Sequence, residues 1–448
     1  MRGGLTRLNR RLTRPLRNDL IRWQTPRLPS SPAAWRRPYS TPTLPVAPNP
    51  DAPNPDRDLG AEGPDITDKL PDIGAIRAEM LARPPQLHHD VMSPMNSRLL
   101  DTVLSDCLQQ GEHGIRQLRA MPRSGDHRTP AFPDLDKPRA IPPGHHLVYF
   151  PLAARLSELS ADGADAYHSP PRGTPFTRRV WAGGSVRGVQ GLPLDLRPAV
   201  CLERVADVRL RGGPGSEKIH VDVLREYVTA ADFRARFDEG GMRLRPRDGD
   251  SAGPSRHALT GLTEVRTLVF MRELSHAEKR IQVDGKQKII RHTKIPDFSV
   301  VVTPSSSLLF HYSALSYNAH RIHLDRSYCR EVEGHPDLLV HGPLTLTLML
   351  TLLWQQQPEP RRGHQVYIDS VEYSNLAPLY TGQPMRICLA RQKTQANAGS
   401  TGPKEQELGG KKWDIWIENE KGGLCVKGTA ETVEARMLDE PPSRDCRV

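Results

Sequence analysis

The stretch SALSYNAHRIHLD, residues 313–325, concentrates side chains that can move protons. It contains Asn318, His320, His323 and Asp325. The ordinary pKa of histidine lies close to neutrality, so His320 and His323 can accept and return a proton at little cost. The carboxamide of Asn318 does not titrate, and we expect it to orient a water molecule or a histidine ring, whereas Asp325 is an acidic partner within reach. The stretch therefore predicts general acid–base chemistry.

The spacing of these residues sets conditions on their geometry. His320 and His323 are three positions apart and would share one face of a helix. Asn318 and His323 would point about 140° apart on a continuous helix, so they converge only if the chain bends between them. Spacing alone leaves two other interpretations open. The histidines could be ordinary core or surface residues, or His320, His323 and Asp325 could bind a metal ion, although ligands so close together often cannot all reach a tetrahedral ion.

A second polar feature opens an apolar segment, where His341, Gly342 and Pro343 precede LTLTLML. Proline is favoured in the first turn of a helix, so a helix is expected to begin here. The backbone N–H of Gly342 would lie at the positive end of that helix, where it can bind a carbonyl oxygen that gains negative charge. A base beside such a donor suits proton transfer next to a carbonyl, or addition of water to a conjugated carbonyl. The apolar window 338–353 is too short for a bilayer crossing and predicts a buried helix.

Charge is distributed unevenly along the 448 residues. The net charge is +10, but residues 1–41 contain ten arginines and one acid, Asp19. The remainder holds 52 basic and 51 acidic residues, so it lacks the basic surface that nucleic-acid binding requires. An arginine-rich, acid-poor beginning is typical of a mitochondrial transit peptide, with a disordered basic tail as the alternative. We expect a transit peptide over 1–41 and a proline-rich linker over 42–65, hence a matrix protein.

Other site types find little support in the sequence. The six cysteines are scattered and form no CxxC pair, so neither a zinc site nor a disulfide framework is expected. The chain contains no P-loop, no GxSxG, no HExxH and no dinucleotide fingerprint after a strand.

The pattern of apolar residues predicts an α+β fold. Helical spacing occurs at 66–82 and 97–120, and a central buried helix near 340–354 precedes several strands. Alternating segments predict strands at VCLERVADVRLR, KIHVDVLREYVT, EVRTLVFMREL, QVYIDSVEYSN and later. HHLVYFPL, residues 145–152, is expected to be extended, and DFSVVVTPSSSLLFHYSALSY is expected to form strand, turn, strand. Polar loops are expected at 238–260 and 396–410.

Several of these segments together resemble a known family. LLFHYSALSYNAHRIHLDRSYCREVEGHPDLLVHGPL is similar to the signature of fungal hydroxyacyl-thioester dehydratase type 2 and of mesaconyl-CoA hydratase-like proteins, within the MaoC-type (R)-specific enoyl hydratase group. GHHLVYFP, PFTRRVWAGGS, EVRTLVFM, YSNLAPLYTGQPMRI and GTAET extend the resemblance over roughly 140–440.

The resemblance implies a double hot-dog fold, in which antiparallel sheets wrap around long central helices. A degenerate first half is expected over 66–285 and a catalytic second half over 286–448. The implied reaction is reversible dehydration of (3R)-hydroxyacyl thioesters to trans-2-enoyl thioesters in mitochondrial type II fatty acid synthesis. The acyl group would be carried by acyl carrier protein or coenzyme A. The resemblance implies no metal or nucleotide cofactor, no nucleic-acid partner and no membrane span, and a homodimer stays open.

The sequence departs from the wider hydratase pattern Gly-Asp-x-Asn-Pro-x-His. Alignment on His323 puts Asn318 at the aspartate position, His320 at the asparagine and Arg321 at the proline. The resemblance implies proton transfer by His323 and binding of the thioester oxygen by Gly342, while His320 or Asp325 would replace the missing acid. Two alternatives remain: a short dicarboxyl-CoA hydratase of the mesaconyl type, with Arg178, Arg179 or Arg321 facing the distal carboxylate, and a non-catalytic hot-dog binding module.

Overall fold

The fold is described from a computed structural model, which describes residues 72–108, 139–213, 215–236, 261–275, 277–280, 289–358, 364–392 and 411–436. Several predictions lie outside the described residues: the transit peptide over 1–41, the linker over 42–65, the loops at 238–260 and 396–410, and the boundary between 285 and 286.

Among the described residues, ten strands form one antiparallel sheet, and two short strands form a separate ladder. In chain order the strands are β1 Gln86–Val91, β2 Arg139–Ala140, β3 Arg178–Arg187, β4 Pro193–Leu194, β5 Pro198–Arg211, β6 Lys218–Thr229, β7 Leu262–Met271, β8 Phe298–Val302, β9 His364–Asn375, β10 Met385–Arg391, β11 Lys411–Asn419 and β12 Leu424–Arg436. The sheet runs β1-β5-β6-β7-β3-β9-β12-β11-β10-β8, while β2 pairs with β4. The two halves of the sheet share one arrangement of five strands. If the strands of each half are numbered by their order in the chain, they lie side by side, from the outer edge inward, as first, third, fourth, fifth and second. The predicted α+β double hot-dog fold is confirmed.

In the described part of the chain, the helices whose bounds are defined are α1 Ile73–Leu81, α2 Pro94–Leu108, α3 Ala230–Arg236, α4 Ser306–Leu315, α5 Arg326–Glu331 and α6 Gly342–Gln355. Helix α6 is the predicted buried helix, and every residue from Leu344 to Leu353 is buried. The buried hydroxyls of Thr347 and Thr351 are hydrogen-bonded within this helix, because each donates to a backbone carbonyl one turn earlier. No helix in the described part of the chain is long and apolar enough to cross a membrane.

The first half differs from the second at its centre. Besides β3, a four-residue 3₁₀ turn of the described first half packs against α6, His145–Val148, with all four side chains buried. The extended conformation expected for 145–152 is therefore wrong at these four residues. A short apolar run that is buried on every side has no alternation that would separate strand from helix.

A second correction concerns the segment after β8. The sequence predicted a second strand there, but residues 306–315 form α4. Its N-cap is Ser305, whose hydroxyl accepts from the N–H of Leu308 at 3.1 Å. The buried residues Leu308, Leu309, Tyr312 and Ser313 follow helical spacing, which the β-branched run before them obscured.

The two halves join where β3 pairs with β9, from Gly183 opposite Ser374 to Arg187 opposite Ser370. A β-bulge between Trp181 and Gly183 bends β3 at this point. Gly183 has a φ of +141°, and a Cβ atom there would lie 2.3 Å from the carbonyl oxygen of Tyr373. The backbones of β3 and β9 approach closely at this glycine, and their pairing makes the sheet continuous.

Candidate active site

A cavity of about 240 Å³ lies between the two halves and is lined by residues of both. The second half contributes the motif residues Asn318, His320 and His323 together with Gly342. The first half contributes a loop after the 3₁₀ turn and side chains from β3, β5, β6 and β7. Four of the five predicted site residues thus line one cavity.

The motif reaches the cavity because the chain bends after α4. Tyr317 takes the left-handed conformation, with a φ of +52°, which ends the helical path. The N–H of Asn318 then donates to the carbonyl of Ser313 at 2.8 Å. The side-chain oxygen of Asn318 accepts from the N–H of His320 at 3.0 Å, and a 3₁₀ turn follows over Arg321–His323. The bend required between Asn318 and His323 is present.

His323 is held as a neutral base. Its Nδ1 lies 2.9 Å from the carbonyl oxygen of Leu339, which can only accept, so Nδ1 carries the proton and Nε2 keeps its lone pair. Burial lowers the pKa of His323 well below its ordinary value, and the nearby His341 and His320 lower it further. A neutral imidazole with a lone pair on the cavity wall can take a proton from water or from a substrate carbon.

His341 packs against the ring face of His323, a role that its position in the sequence did not suggest. The two rings stack with centroids 3.7 Å apart. The Nε2 of His341 lies 2.8 Å from the hydroxyl of Ser313. Complete burial, with a smaller contribution from His320, lowers the pKa of His341 to about 3, so this ring is neutral as well.

Gly342 begins α6 and lies on the cavity wall. The backbone N–H groups of a first helical turn have no acceptor within the helix, so this group can donate to a ligand. A Cβ atom at Gly342 would lie 2.8 Å from Nδ2 of Asn375 and 3.1 Å from Cβ of Trp181. The surroundings leave room only for the hydrogen of glycine, and they bring the backbone close to the cavity.

His320 contacts a carboxylate of the first half that sequence reasoning missed. Its Nε2 lies 3.1 Å from Oδ2 of Asp162. Burial alone would raise the pKa of Asp162, but His320 and hydrogen bonds from Ser160 and Ala164 lower it below its ordinary value. Asp162 is therefore ionised at neutral pH. Its segment SADGADA reads as a polar turn, and nothing in its sequence indicates that it meets a motif far along the chain.

Asp325 does not reach the cavity lining. It is the N-cap of α5, where its side chain accepts from the N–H of Tyr328 at 3.0 Å and from Nη2 of Arg321 at 2.7 Å. A metal site built from His320, His323 and Asp325 would need a ligand that points elsewhere. Within the described ranges, no group of three or more His, Cys, Asp and Glu side chains is arranged to hold a metal ion.

The first-half end of the cavity is lined by buried charges. Its lining includes Asp165, His168, Arg179, Glu203, Arg225 and Arg266. Burial opposes a charge on His168, but Asp165 and Glu203 outweigh it and raise the pKa of His168 to about 9. This lining has four positive side chains, those of His168, Arg179, Arg225 and Arg266. They lie near three carboxylates: Asp165 and Glu203 of the lining, and Glu264, which pairs with Arg266. The sequence had suggested only Arg179 among these arginines; Arg178 instead pairs with Glu333, and Arg321 is exposed.

Comparison with known proteins identifies the family. A sequence profile described as hydroxyacyl-thioester dehydratase type 2 matches residues 144–381, which is more than half of the chain and includes the motif, His341 and Gly342. The chain belongs to the hydroxyacyl-thioester dehydratase type 2 family.

Individual proteins are also similar to this chain. The dehydratase is 29% identical over 254 residues to the mitochondrial hydroxyacyl-thioester dehydratase type 2 of Schizosaccharomyces pombe, covering 56% of this chain and 78% of that one. It is 28% identical over 268 residues to the mesaconyl-C(4)-CoA hydratase of Chloroflexus aurantiacus, covering 58% and 77%. A solved MaoC-like dehydratase from Phytophthora capsici is 13% identical, covers 80% of this chain and 97% of that one, and has a TM-score of 0.44.

Membership in the dehydratase family confirms the prediction of a hydro-lyase acting on hydroxyacyl thioesters. The cavity has the groups that such a reaction needs: a neutral base on His323, a second titratable ring on His320, and a backbone donor on Gly342.

Proposed function

We propose that this dehydratase interconverts (3R)-hydroxyacyl thioesters and trans-2-enoyl thioesters by removing or adding water. The observation that carries the proposal is the juxtaposition of His323 and Gly342 on one cavity wall. His323 has its proton fixed on Nδ1 by the carbonyl of Leu339, so its lone pair is available. Gly342 supplies a first-turn N–H for the thioester oxygen.

In the hydration direction, His323 takes a proton from the water that attacks C3 of the enoyl group. Negative charge then develops on the thioester oxygen, and the N–H of Gly342 stabilises it. The face-to-face ring of His341 limits rotation of His323, which keeps the lone pair directed at one position. Asn318 contributes by holding the backbone at His320, since its oxygen is already engaged by that N–H.

Residues 1–41 support a location in the mitochondrial matrix, because their ten arginines and single acid are typical of a transit peptide. The fission-yeast relative is described as mitochondrial. We propose that the protein acts in type II fatty acid synthesis, with the acyl group on acyl carrier protein or coenzyme A.

The test is hydration of a trans-2-enoyl thioester by the full chain, followed by loss of the conjugated enoyl absorbance. We expect activity in the parent, and a loss of about 100-fold or more in His323→Ala, the typical contribution of a general base. Asp325→Asn is the matched control, because it alters a carboxylate close in sequence that lies outside the cavity. A folded parent that hydrates no thioester of several chain lengths would favour the binding-module alternative.

A second candidate is hydration of a short acyl thioester that carries a distal carboxylate. The excess of positive charge at the first-half end of the cavity favours this substrate class. Buried positive side chains bind an anionic group better than they bind an alkyl chain. The Chloroflexus relative is described as a mesaconyl-C(4)-CoA hydratase. A comparison of crotonyl-CoA with a four-carbon dicarboxyl enoyl-CoA discriminates the two. Preference for the dicarboxyl substrate that is lost in Arg179→Gln supports this candidate, and preference for longer alkyl chains contradicts it.

A further inference from the structure

A turn of the first half, residues 160–164, packs directly on the catalytic motif of the second half. Besides the contact between His320 and Asp162, the N–H of Arg321 donates to the backbone carbonyl of Asp162 at 2.7 Å. Gly163 has a φ of +81°, and a Cβ atom there would lie 2.2 Å from the carbonyl oxygen of Ala319. The approach is so close that only glycine fits. The turn and the motif are therefore held in one fixed arrangement.

The carboxylate of Asp162 is oriented before it meets His320. Its Oδ1 accepts from the hydroxyl of Ser160 at 2.6 Å and from the N–H of Ala164 at 3.0 Å. These bonds leave Oδ2 directed at His320. Both side chains are largely buried, with exposures of 11% for Asp162 and 7% for His320, so the pair is screened little by solvent.

We propose that Asp162 is a positioning residue for His320, and that this pair supplies the second proton transfer that the carboxamide at Asn318 cannot perform. The inference rests on the proposed function of the same cavity. It means that the first half contributes a working part of the catalytic machinery, in addition to a wall for the acyl group.

The chemistry balances without any other reactant. In the hydration direction, the water oxygen bonds to C3 while its proton goes to Nε2 of His323. The π electrons of the C2–C3 bond form an enolate, and a proton from His320 then goes to C2 to make the new C–H bond. No atom is oxidised or reduced. His323 has gained one proton and His320 has lost one, and exchange through cavity water restores both rings. The Asp162 carboxylate compensates the positive charge of His320 while it carries that proton.

Geometry favours His320 over the other groups of the motif for this step. The His320 and His323 rings meet edge to face with centroids 5.6 Å apart, so they can serve adjacent carbons of one substrate. Asn318 does not titrate, and the carboxylate of Asp325 is engaged outside the cavity. Within the described residues, His320 is thus the titratable motif side chain beside His323 that lines the cavity.

The test compares Asp162→Asn, His320→Gln and the double variant by kcat, KM and pH–rate profile. Asparagine keeps the acceptor for Ser160 and Ala164 but presents an amide N–H₂ to His320, and it removes the negative charge that compensates the protonated ring. We expect kcat to fall by about 100-fold with little change in KM, and the pH–rate profile to change shape. Because Asp162 acts through His320, adding Asp162→Asn to His320→Gln should change kcat by less than about twofold.

Asp325→Asn is the control, since asparagine caps a helix as well as aspartate does and only the exposed pair with Arg321 is lost. It should leave kcat within about twofold of the parent. An unchanged kcat and pH profile in Asp162→Asn would overturn the proposal, and so would an effect of equal size with and without His320.

A measurement without substrate separates this proposal from the proposed function. Nitrogen NMR of the full chain with labelled histidine reports directly whether each ring nitrogen of His320 carries a proton. We expect Asp162→Asn to shift the His320 ring nitrogens and to leave those of His323 in place. If no thioester is hydrated but this shift occurs, the pairing stands and the assigned reaction fails. If the reaction occurs without the shift, the pairing is wrong.

Discussion

The imidazole rings of His323 and His341 lie face to face, with centroids 3.7 Å apart and planes 21° apart. Each ring has one nitrogen fixed from the side, His323 by the carbonyl of Leu339 and His341 by the hydroxyl of Ser313. A positive charge on one ring disfavours a positive charge on the other, so the stack keeps His323 neutral as well as oriented. His341 is thus coupled to the base without lining the cavity itself.

His341→Gln tests this coupling. The shorter planar amide keeps some of the volume but removes the stacked ring, so we expect kcat to fall by about tenfold with little change in KM. The acidic limb of the kcat/KM profile should move to higher pH, because His341 contributes to the lowered pKa of His323. Ser313→Ala, which removes only the hydroxyl behind His341, should give a smaller change in the same direction. An unaltered profile in His341→Gln would show that the stack has no electrostatic role.

Gly342→Ala should damage both the site and the fold. The added Cβ meets Asn375 at 2.8 Å and Trp181 at 3.1 Å, so either neighbour must move. We expect a loss of about 1–3 kcal/mol in the free energy of unfolding, and a lowered kcat because the backbone donor that stabilises the developing negative charge shifts. The control is Gly213→Ala, since a Cβ there meets nothing within 4 Å and the φ is not positive. Chemical denaturation and steady-state kinetics measure both effects, and equal values for the two variants would contradict the crowding seen at Gly342.

Buried neutral histidines make the free energy of unfolding depend on pH. Burial lowers the pKa of His146 to about 4 and of His341 to about 3, and that of His323 lies well below its ordinary value. Below about pH 6.5 the unfolded chain binds protons that the folded rings do not, so each histidine costs about 2 kcal/mol of stability between pH 7 and pH 5. Asp101 acts in the opposite direction, because burial raises its pKa to about 7. Between pH 7 and pH 5 its contribution to stability cancels that of about one histidine.

We therefore expect the free energy of unfolding to fall by several kcal/mol from pH 7 to pH 5 in denaturation experiments. His341→Gln should reduce this fall by about 2 kcal/mol, because one titrating group is removed. The pH dependence reverses for His168, whose raised pKa gives stability that is complete below about pH 6.5 and is lost as pH rises through about 9. A flat dependence between pH 7 and pH 5 would show that these rings are already protonated in the fold.

Breaking the buried pair of Glu203 and Arg225 should lower the free energy of unfolding substantially. Arg225 lies 2.9 Å from Glu203 and also donates to the carbonyl of Phe150 at 3.0 Å. Arg225→Met leaves both acceptors without this partner, and we expect a loss of about 3 kcal/mol. Replacing Glu203 by Leu at the same time should recover part of it. Arg209→Met, which breaks the half-exposed pair with Asp222, should cost less than about 1 kcal/mol. Equal losses at Arg225 and Arg209 would contradict the burial of the first pair.

The sequence predicted those parts of the fold whose pattern is local. The strands β5, β6 and β9 to β12 alternate or contain long apolar runs, and α6 is announced by proline in its first turn. The errors fell on two short segments, for different reasons. His145–Val148 is buried on every side and has no readable period, whereas the helical spacing of α4 was obscured by the β-branched run before it.

The candidate site was predictable only within the motif. Asn318, His320 and His323 were found because proton chemistry needs such side chains at short spacing. Gly342 was found because the proline after it predicts the start of a helix, and the resemblance assigned the roles. Asp162 was not found, because its position depends on the packing of one half against the other. Asp325 was included because nothing in the spacing shows that a side chain points into solvent as a helix cap.

The pairing of β3 with β9 makes the protein suitable for fragment complementation. A cut in the connection between Met271 and Phe298 would give two fragments, each with an open edge at the former junction. Because Asp162 would belong to one fragment and His320 and His323 to the other, neither fragment alone would hold a whole site. Recovery of hydratase activity on mixing would then measure how strongly the two halves recognise each other through the five residue pairs of β3 and β9 and the charge contacts between them.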